Sequence, residues 1–167
     1  MSRAGCRRMR THAGRVAVRG GERGWTVIEL LIVVALIGIV AGIASPLLTQ
    51  TLHRAKIQKA IQDLRLIEFA LKKYEAEEER LPDSLDELET VLPIDPWGHP
   101  YEYLVFRGPG WRGLARKDRF LVPINSSFDL YSIGPDAETR PPLQNRMSWD
   151  DVVRANDGAF LGLGKDF

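Results

Sequence analysis

Two hydrophobic patterns follow one another in the first half of the chain. The first is an apolar run of 19 residues without a charge, from Leu30 to Leu48. A helix of that length spans about 28 Å, close to the thickness of the hydrocarbon core of a bilayer. The run therefore predicts a helix that can cross a membrane.

A secretory signal peptide is the main alternative for this run. The run is longer than the core of most signal peptides, and no small-x-small cleavage site followed by a polar segment comes after it. Pro46 falls inside the run. It is expected to kink the helix rather than end it, because apolar and helix-forming residues resume at once. These features favour a retained membrane anchor.

The second pattern is amphipathic and extends from Ala55 to about Glu79. Its apolar residues recur at three- and four-residue spacing, which places them on one stripe of a helix. They are Ile57, Ala60, Ile61, Leu64, Ile67, Leu71 and Tyr74. Together the two patterns predict one long helix from Thr26 to Glu79. Its first half suits lipid or a helical bundle, and its second half requires a globular domain on one side.

Short elements are predicted in the rest of the chain. Leu81-Pro82 ends the long helix, and a short helix follows at Ser84–Leu88 with Asp83 or Ser84 as its cap. A further short helix is predicted to begin at Ser148–Asp151, where the spacing is that of a capping box. Residues 107–118 and 134–147 are predicted loops.

Three short strands are predicted between these elements, at Tyr101–Val105, Phe120–Val122 and Phe128–Ile133. They are rich in aromatic and branched residues and are separated by turn residues. The predicted fold class is therefore α+β: a long N-terminal helix packed by its second half on a small antiparallel sheet of three or four strands.

Charge is distributed unevenly. Residues 1–24 carry seven Arg and one Glu, which leaves 16 basic residues (23 less 7) and 21 acidic residues (22 less 1), a net of −5, in the remainder. A basic segment before an apolar run marks the cytoplasmic side of a membrane protein. A nucleic-acid-binding arm is the alternative, but the apolar run follows too closely. The single cysteine, Cys6, lies in this segment, so the rest of the chain can form no disulfide.

The segment from Gly24 to Leu31, GWTVIELL, resembles the processing site of type IV prepilins and type II secretion pseudopilins. The resemblance implies cleavage after Gly24 by a prepilin peptidase and methylation of the new N-terminus, Trp25. It also identifies Glu29, the fifth residue after the cut, and Pro46, the twenty-second, as the acid and the proline of the family. Trp25 is a departure, since the family usually has Phe there.

The chemistry of Glu29 points in the same direction. A carboxylate near one end of an apolar helix costs a few kcal/mol unless it is paired, so it is a candidate functional residue. Pairing with the terminal ammonium of a neighbouring copy would neutralise both charges in a dry bundle. The alternative is that Glu29 only extends to the lipid headgroups.

A second resemblance, from Tyr74 to about Asp136, is to the major, G-type pseudopilins of type II secretion systems. It is carried by Leu81-Pro82, by DPWGHPYEY from Asp95 and by FDLYSIGPD from Phe128. The resemblance implies a calcium ion held by Asp129 and Asp136 with loop carbonyls, a ligand chemistry that calcium accepts.

The loop after Asp136 departs from the pattern of these pseudopilins. In place of their glycine-rich acidic loop it carries two prolines, and it brings Arg140 and Arg146 near the expected ion. The alternative is that Asp129 faces solvent and Asp136 lies in an ordinary turn without metal.

The resemblance implies a leader at 1–24, a membrane and fibre-core helix at 25–52, and a periplasmic domain at 53–167. The chain is expected to be a single-pass inner-membrane protein that polymerises with itself to drive protein export across the outer membrane. Its expected partners are minor pseudopilins, an inner-membrane assembly platform with its ATPase, and the prepilin peptidase; no nucleic acid is expected.

Two other functions were weighed. A type IV pilin for adhesion, motility or DNA uptake shares the N-terminal motif but commonly closes its C-terminal region with a disulfide. A membrane-anchored enzyme requires converging polar groups. The histidines His12, His53 and His99 have neither metal-ligand nor triad spacing, and no phosphate loop is present. No catalytic activity is expected.

Overall fold

The computed structural model of the protein describes residues 24–167, so the predicted leader lies outside the described residues except for Gly24. The chain divides into two compact units, one ending at Ile43 and the other extending from Ala44 to Phe167. Helix α1, Val27–Glu78, contains 52 residues and is continuous through position 46. This confirms the predicted long helix to within one residue at each end.

Helix α1 ends where the sequence changes its backbone preference. Glu79 adopts a left-handed φ of 55°, and Leu81-Pro82 follow two residues later. The left-handed conformation of Glu79 ends the helix, because the N–H of the following residue no longer points along the helix axis. A single 3-10 turn, Leu85–Glu87, comes next, and the Ser84 side chain accepts a hydrogen bond from the Asp86 N–H. The predicted Ser84 cap is thus confirmed.

A four-stranded antiparallel meander follows, with strand order β1-β2-β3-β4. Its bounds are Glu102–Val105 (β1), Phe128–Ser132 (β2), Val152–Ala155 (β3) and Phe160–Leu163 (β4). The register pairs Leu104 with Asp129 across β1 and β2, and Tyr131 with Val153 across β2 and β3. A four-residue helix, α2 (Trp111–Leu114), lies between β1 and β2. The α+β class and the antiparallel sheet are therefore confirmed.

The main core lies between the second half of α1 and one face of the sheet. The apolar stripe of α1 supplies its fully buried residues from the helix, and β2 and β3 supply those from the sheet. They are Ala60, Leu64, Ile67 and Leu71 on α1, and Phe128, Leu130 and Val152 on the strands. Burial of these side chains is what holds the helix on the sheet, and each of the larger ones contributes about 1.5–3 kcal/mol.

The opposite face of the sheet is also covered. Ile124, Leu143, Val153 and Ala155 form a second buried cluster there, against which Tyr131 packs. Because successive side chains of a strand point to opposite faces, Asp129 lies on this second face, between two residues that face α1. Strand β2 is therefore buried on both sides, and the loops that cover the second face surround Asp129.

Two sequence predictions in this region are wrong. Phe120–Val122 is not a strand: Phe120 is 98% exposed and belongs to a turn closed by the bridge between Asp118 and Leu121. Ser148–Asp151 does not begin a helix, because Ser148 instead ends the 3-10 turn Arg146–Ser148 and Asp151 leads directly into β3. Strands β3 and β4 were not predicted.

Candidate functional site

The N-terminus of α1 has a capped structure. Gly24, Trp25 and Thr26 precede the helix, and Trp25 is 71% exposed. The Thr26 hydroxyl accepts a hydrogen bond from the Glu29 N–H at 3.2 Å, and the Thr26 carbonyl accepts one from the Leu30 N–H at 3.1 Å. Thr26 and Glu29 have the spacing of a capping box. This Thr26 cap was not predicted, although the Thr-x-x-Glu signal is present in the sequence.

The surface of the first part of α1 is apolar on all sides. Fifteen large apolar side chains between Trp25 and Leu52 are each more than half exposed. Glu29 is the only charged residue in this stretch. Its carboxylate therefore has no oppositely charged side chain in residues 25–52 of its own chain. This part of α1 is the one helix in the described residues that is long and apolar enough to cross a membrane.

The two acids proposed as calcium ligands have different surroundings. Asp129 is 1% exposed, and its carboxylate accepts hydrogen bonds from the Arg116 N–H at 2.5 Å and the Asn125 amide at 2.8 Å. Burial raises the pKa of Asp129, and these two donors oppose that effect. Asp129 therefore does not face solvent; it organises the loop that covers the second face of the sheet.

Asp136 lies in an exposed turn. Its carboxylate accepts a hydrogen bond from the Glu138 N–H at 2.9 Å, which is the pattern of an Asx turn. Its acidic neighbour is Asp150, whose pKa is raised by burial and by the charge of Asp136. In the described part of the chain, no three Asp, Glu, His or Cys side chains are grouped as a metal site.

Comparison with known proteins identifies the family. The chain is 30% identical over 141 residues to type II secretion system core protein G of Pseudomonas aeruginosa, with 72% of this chain and 88% of that protein covered. The protein of the same name from Escherichia coli K12 is 29% identical over 138 residues, with 70% and 84% covered. The Vibrio cholerae protein is 27% identical over 137 residues, with 70% and 83% covered.

This chain belongs to the type II secretion system core protein G family. The resemblance drawn from the Gly24 motif and from the Asp95 and Phe128 segments is thereby confirmed. No protein-family model and no solved structure matches the chain.

The surroundings of Asp129 do not favour calcium. Both oxygens of its carboxylate already accept hydrogen bonds from N–H donors, with which a cation would compete. The guanidinium groups of Arg116 and Arg154 are close enough to oppose the rise in its pKa. The calcium ion stays a prediction from the sequence.

Two buried arginines are the residues that sequence reasoning missed. The side chains of Arg116 and Arg154 are each 2% exposed and pair with Asp151 at 2.9 Å and with Glu68 at 3.0 Å. Each guanidinium also lies over an aromatic ring, that of Tyr131 or Phe128. No local signal distinguishes these arginines, because their partners are distant in sequence.

Proposed function

We propose that the chain is the major structural subunit of a type II secretion pseudopilus. In this proposal the subunits are added to a short fibre at the inner membrane, and the growing fibre pushes exported proteins through an outer-membrane channel. The name shared by its relatives, a core protein of type II secretion, supports this function. The role is structural and mechanical rather than catalytic.

The observation that carries the proposal is the uncovered apolar surface of α1. Fourteen large apolar side chains of α1 from Val27 to Leu52, each more than half exposed, present far more apolar surface than a soluble monomer tolerates. Lipid can cover this surface before assembly, and the helices of other copies can cover it in a fibre. One helix can therefore serve first as the membrane anchor and then as the core of a homopolymer.

Processing at Gly24 would prepare the helix for assembly. Cleavage after Gly24 would leave Trp25 as the N-terminus, one residue before the Thr26 cap. Intact mass spectrometry of protein extracted from membranes tests this step: we expect a chain that begins at Trp25 and carries one added methyl group. Finding only the full-length chain in cells that contain a prepilin peptidase would contradict it.

Glu29 would then set the step between subunits. Its carboxylate has no oppositely charged partner within residues 25–52, and the N-terminal ammonium of another copy is a cation that would lie at a similar depth. Pairing the two would remove two uncompensated charges from an apolar bundle. Pro46 lies within the same helix, where it would allow the helix to bend as the subunit enters the fibre.

The proposed location is the bacterial inner membrane, with the basic leader on the cytoplasmic side and the Ala44–Phe167 unit largely in the periplasm. The proposed partners are further copies of the chain, minor pseudopilins, the assembly platform with its ATPase, and the prepilin peptidase. These placements rest on the basic segment before an apolar helix and on the family.

Deletion of the gene tests the function. We expect proteins that normally reach the medium to accumulate in the periplasm, and expression of the wild-type chain to restore their export. Unchanged export together with lost surface fibres, twitching or DNA uptake would instead identify a type IV pilin. A Gly24→Leu variant, which should not be cleaved, is the matched control because it retains the complete α1 helix.

A further inference from the structure

In the loop between β2 and β3, residues 133–151, several polar groups converge on the buried guanidinium of Arg116. We propose that the guanidinium of Arg116 serves as the resident cation of this loop instead of the calcium ion that the sequence resemblance implies, with partners other than Asp129 and Asp136. The loop would then be fixed without any metal.

The guanidinium lies in a cage of oxygen atoms. Its Nη1 donates to the Arg140 carbonyl at 2.7 Å and to the Ser148 hydroxyl at 3.3 Å. Its Nη2 donates to the Thr139 hydroxyl and pairs with Asp151 Oδ2 at 2.9 Å. One carboxylate, two hydroxyls and one backbone carbonyl are the kinds of oxygen that a hard cation such as calcium collects from a loop.

The atoms of the cage are also bonded to one another. The Thr139 hydroxyl donates to Asp151 Oδ2 at 2.6 Å, and the Ser148 hydroxyl donates to the Arg140 carbonyl at 2.7 Å. The Ser148 hydroxyl in turn accepts a hydrogen bond from the Arg140 N–H at 2.9 Å. The cage is therefore a connected network, and Arg116 contacts all four of its residues.

Arg116 connects parts of the chain that are distant in sequence. The cage residues come from the start of the loop, from the 3-10 turn Arg146–Ser148 and from the residue before β3, and Arg116 itself comes from the segment before β2. The guanidinium carbon lies 3.7 Å from the centre of the Tyr131 ring on β2. Because the guanidinium is planar and has five donors, it can make these bonds and stack on the ring at once.

The other arginines of the loop are not in the cage. The side chains of Arg140 and Arg146 are exposed, and Arg140 contributes only its backbone to the network. The sequence suggested that these two would lie near an ion, but it is the guanidinium of Arg116 that lies among the oxygen atoms of the loop. Arg140 is therefore a matched control: its backbone belongs to the cage, but its side chain is exposed.

The test uses the full mature chain in detergent micelles at neutral pH. Tryptophan fluorescence follows unfolding, because Trp97, Trp111 and Trp149 lie in the Ala44–Phe167 unit. We expect the melting temperatures of the wild-type protein in millimolar calcium and in chelator to differ by less than about 1 °C. An ion bound only to the folded state would raise the melting temperature by several degrees.

Arg116→Ala should lower the melting temperature by about 10 °C, since it leaves Asp151 buried without its cation. Arg140→Ala should lower it by less than about 2 °C.

Arg116→Lys covers the case in which the alanine variant does not fold. Lysine keeps the positive charge but lacks the forked, planar guanidinium that binds the cage and stacks on Tyr131. The melting temperature of Arg116→Lys should therefore lie between those of the wild type and Arg116→Ala. If Arg116→Ala does not fold, the melting temperature of Arg116→Lys should still lie well below that of the wild type. A wild-type melting temperature several degrees higher in calcium than in chelator would overturn the proposal. An Arg116→Lys variant with the same melting temperature as the wild type and Arg140→Ala would also overturn the proposal.

Discussion

Replacing Arg154 by Met tests how the long helix is joined to the sheet. Arg154 lies on β3, and its Nε pairs with Glu68 of α1 at 3.0 Å. Its Nη1 donates to the Asn125 side-chain oxygen at 3.2 Å and to the Phe128 carbonyl at 3.3 Å. Methionine keeps much of the apolar stem but removes all of these bonds. The variant therefore leaves Glu68, 8% exposed, without its buried partner.

The expected loss of stability can be bounded from these contacts. Removing one member of a buried ion pair costs about 3–5 kcal/mol. Glu68 retains Lys72, whose ammonium lies 2.9 Å from the same oxygen but whose side chain is 59% exposed. The loss should therefore be near the lower end, about 3 kcal/mol, which for a chain of this size corresponds to about 6–12 °C in melting temperature.

Thermal unfolding of the mature chain in detergent measures this loss. Lys72→Met is the control, because it removes only the exposed partner of Glu68 and should cost less than about 1 kcal/mol. The double variant Glu68→Met, Arg154→Met removes both buried charges and should recover part of the stability lost by Arg154→Met alone. If Arg154→Met had the same melting temperature as Lys72→Met, the buried pair of Arg154 and Glu68 would not stabilise the fold as argued here.

Three further predictions concern other residues of the domain. Hydrogen bonds from the Tyr74 hydroxyl, the Asp83 N–H and Arg80 hold the pKa of Glu87 well below its usual range, at about 2. The ionised Glu87 therefore stabilises the folded state above a pH of about 4.5, and this stabilisation is lost as the pH falls through 2. An NMR titration of Glu87 checks this value, and Tyr74→Phe should raise it; a wild-type pKa above 4 would contradict the network. Asp95→Ala should lower the free energy of unfolding by about 2–3 kcal/mol. The buried carboxylate accepts hydrogen bonds from the Ser132 hydroxyl and from the Trp97 and His99 N–H groups of its turn. A loss below about 1 kcal/mol in chemical denaturation would contradict this prediction. Phe120→Ser should change stability by less than about 0.5 kcal/mol because Phe120 is 98% exposed, and a clear loss would show that its turn packs more closely.

The elements with a strong period were predictable from the sequence. The stripe from Ile57 to Tyr74 and the apolar run before it required one long helix, and Leu81-Pro82 fixed where it ends. Strand β2 was predictable because Phe128 to Ser132 is bounded by turn residues. These features depend only on residues that are close in sequence.

The features that depend on distant contacts were missed. Strand β3 contains a charged residue, Arg154, that is buried only because Glu68 of α1 neutralises it, so the strand does not read as apolar. Asp150 and Asp151 resembled the start of a helix, but Asp151 is buried against Arg116 instead. Phe120–Val122 has the composition of a strand, yet no neighbouring strand pairs with it among residues 24–167.

The candidate sites divide in the same way. Gly24, Trp25, Glu29 and Pro46 form a local motif with fixed spacing, so the sequence alone could locate it. The oxygen cage of Arg116 could not be found in this way, because its members are brought together only when the loop 133–151 folds over the second face of the sheet. The calcium-ligand role of Asp129 stays a prediction, and its two N–H donors could not be predicted because they come from the loop before β2.

The role of Glu29 is the most direct test of the central claim that the chain polymerises through its N-terminal helix. Glu29→Ala and Glu29→Leu should be inserted and cleaved normally but should fail to form fibres. Electron microscopy and immunoblots of the sheared fraction, compared with whole cells, measure the amount of fibre. Each would strand an ammonium group in the apolar bundle at a cost of about 3–5 kcal/mol per subunit.

Thr26→Ala separates this role from helix capping, since it removes the cap seen at the Glu29 N–H but keeps the carboxylate. We expect Thr26→Ala to assemble fibres and both Glu29 variants to produce none. Fibres in wild-type quantity from Glu29→Leu would contradict assembly by pairing of Glu29 with a neighbouring N-terminus.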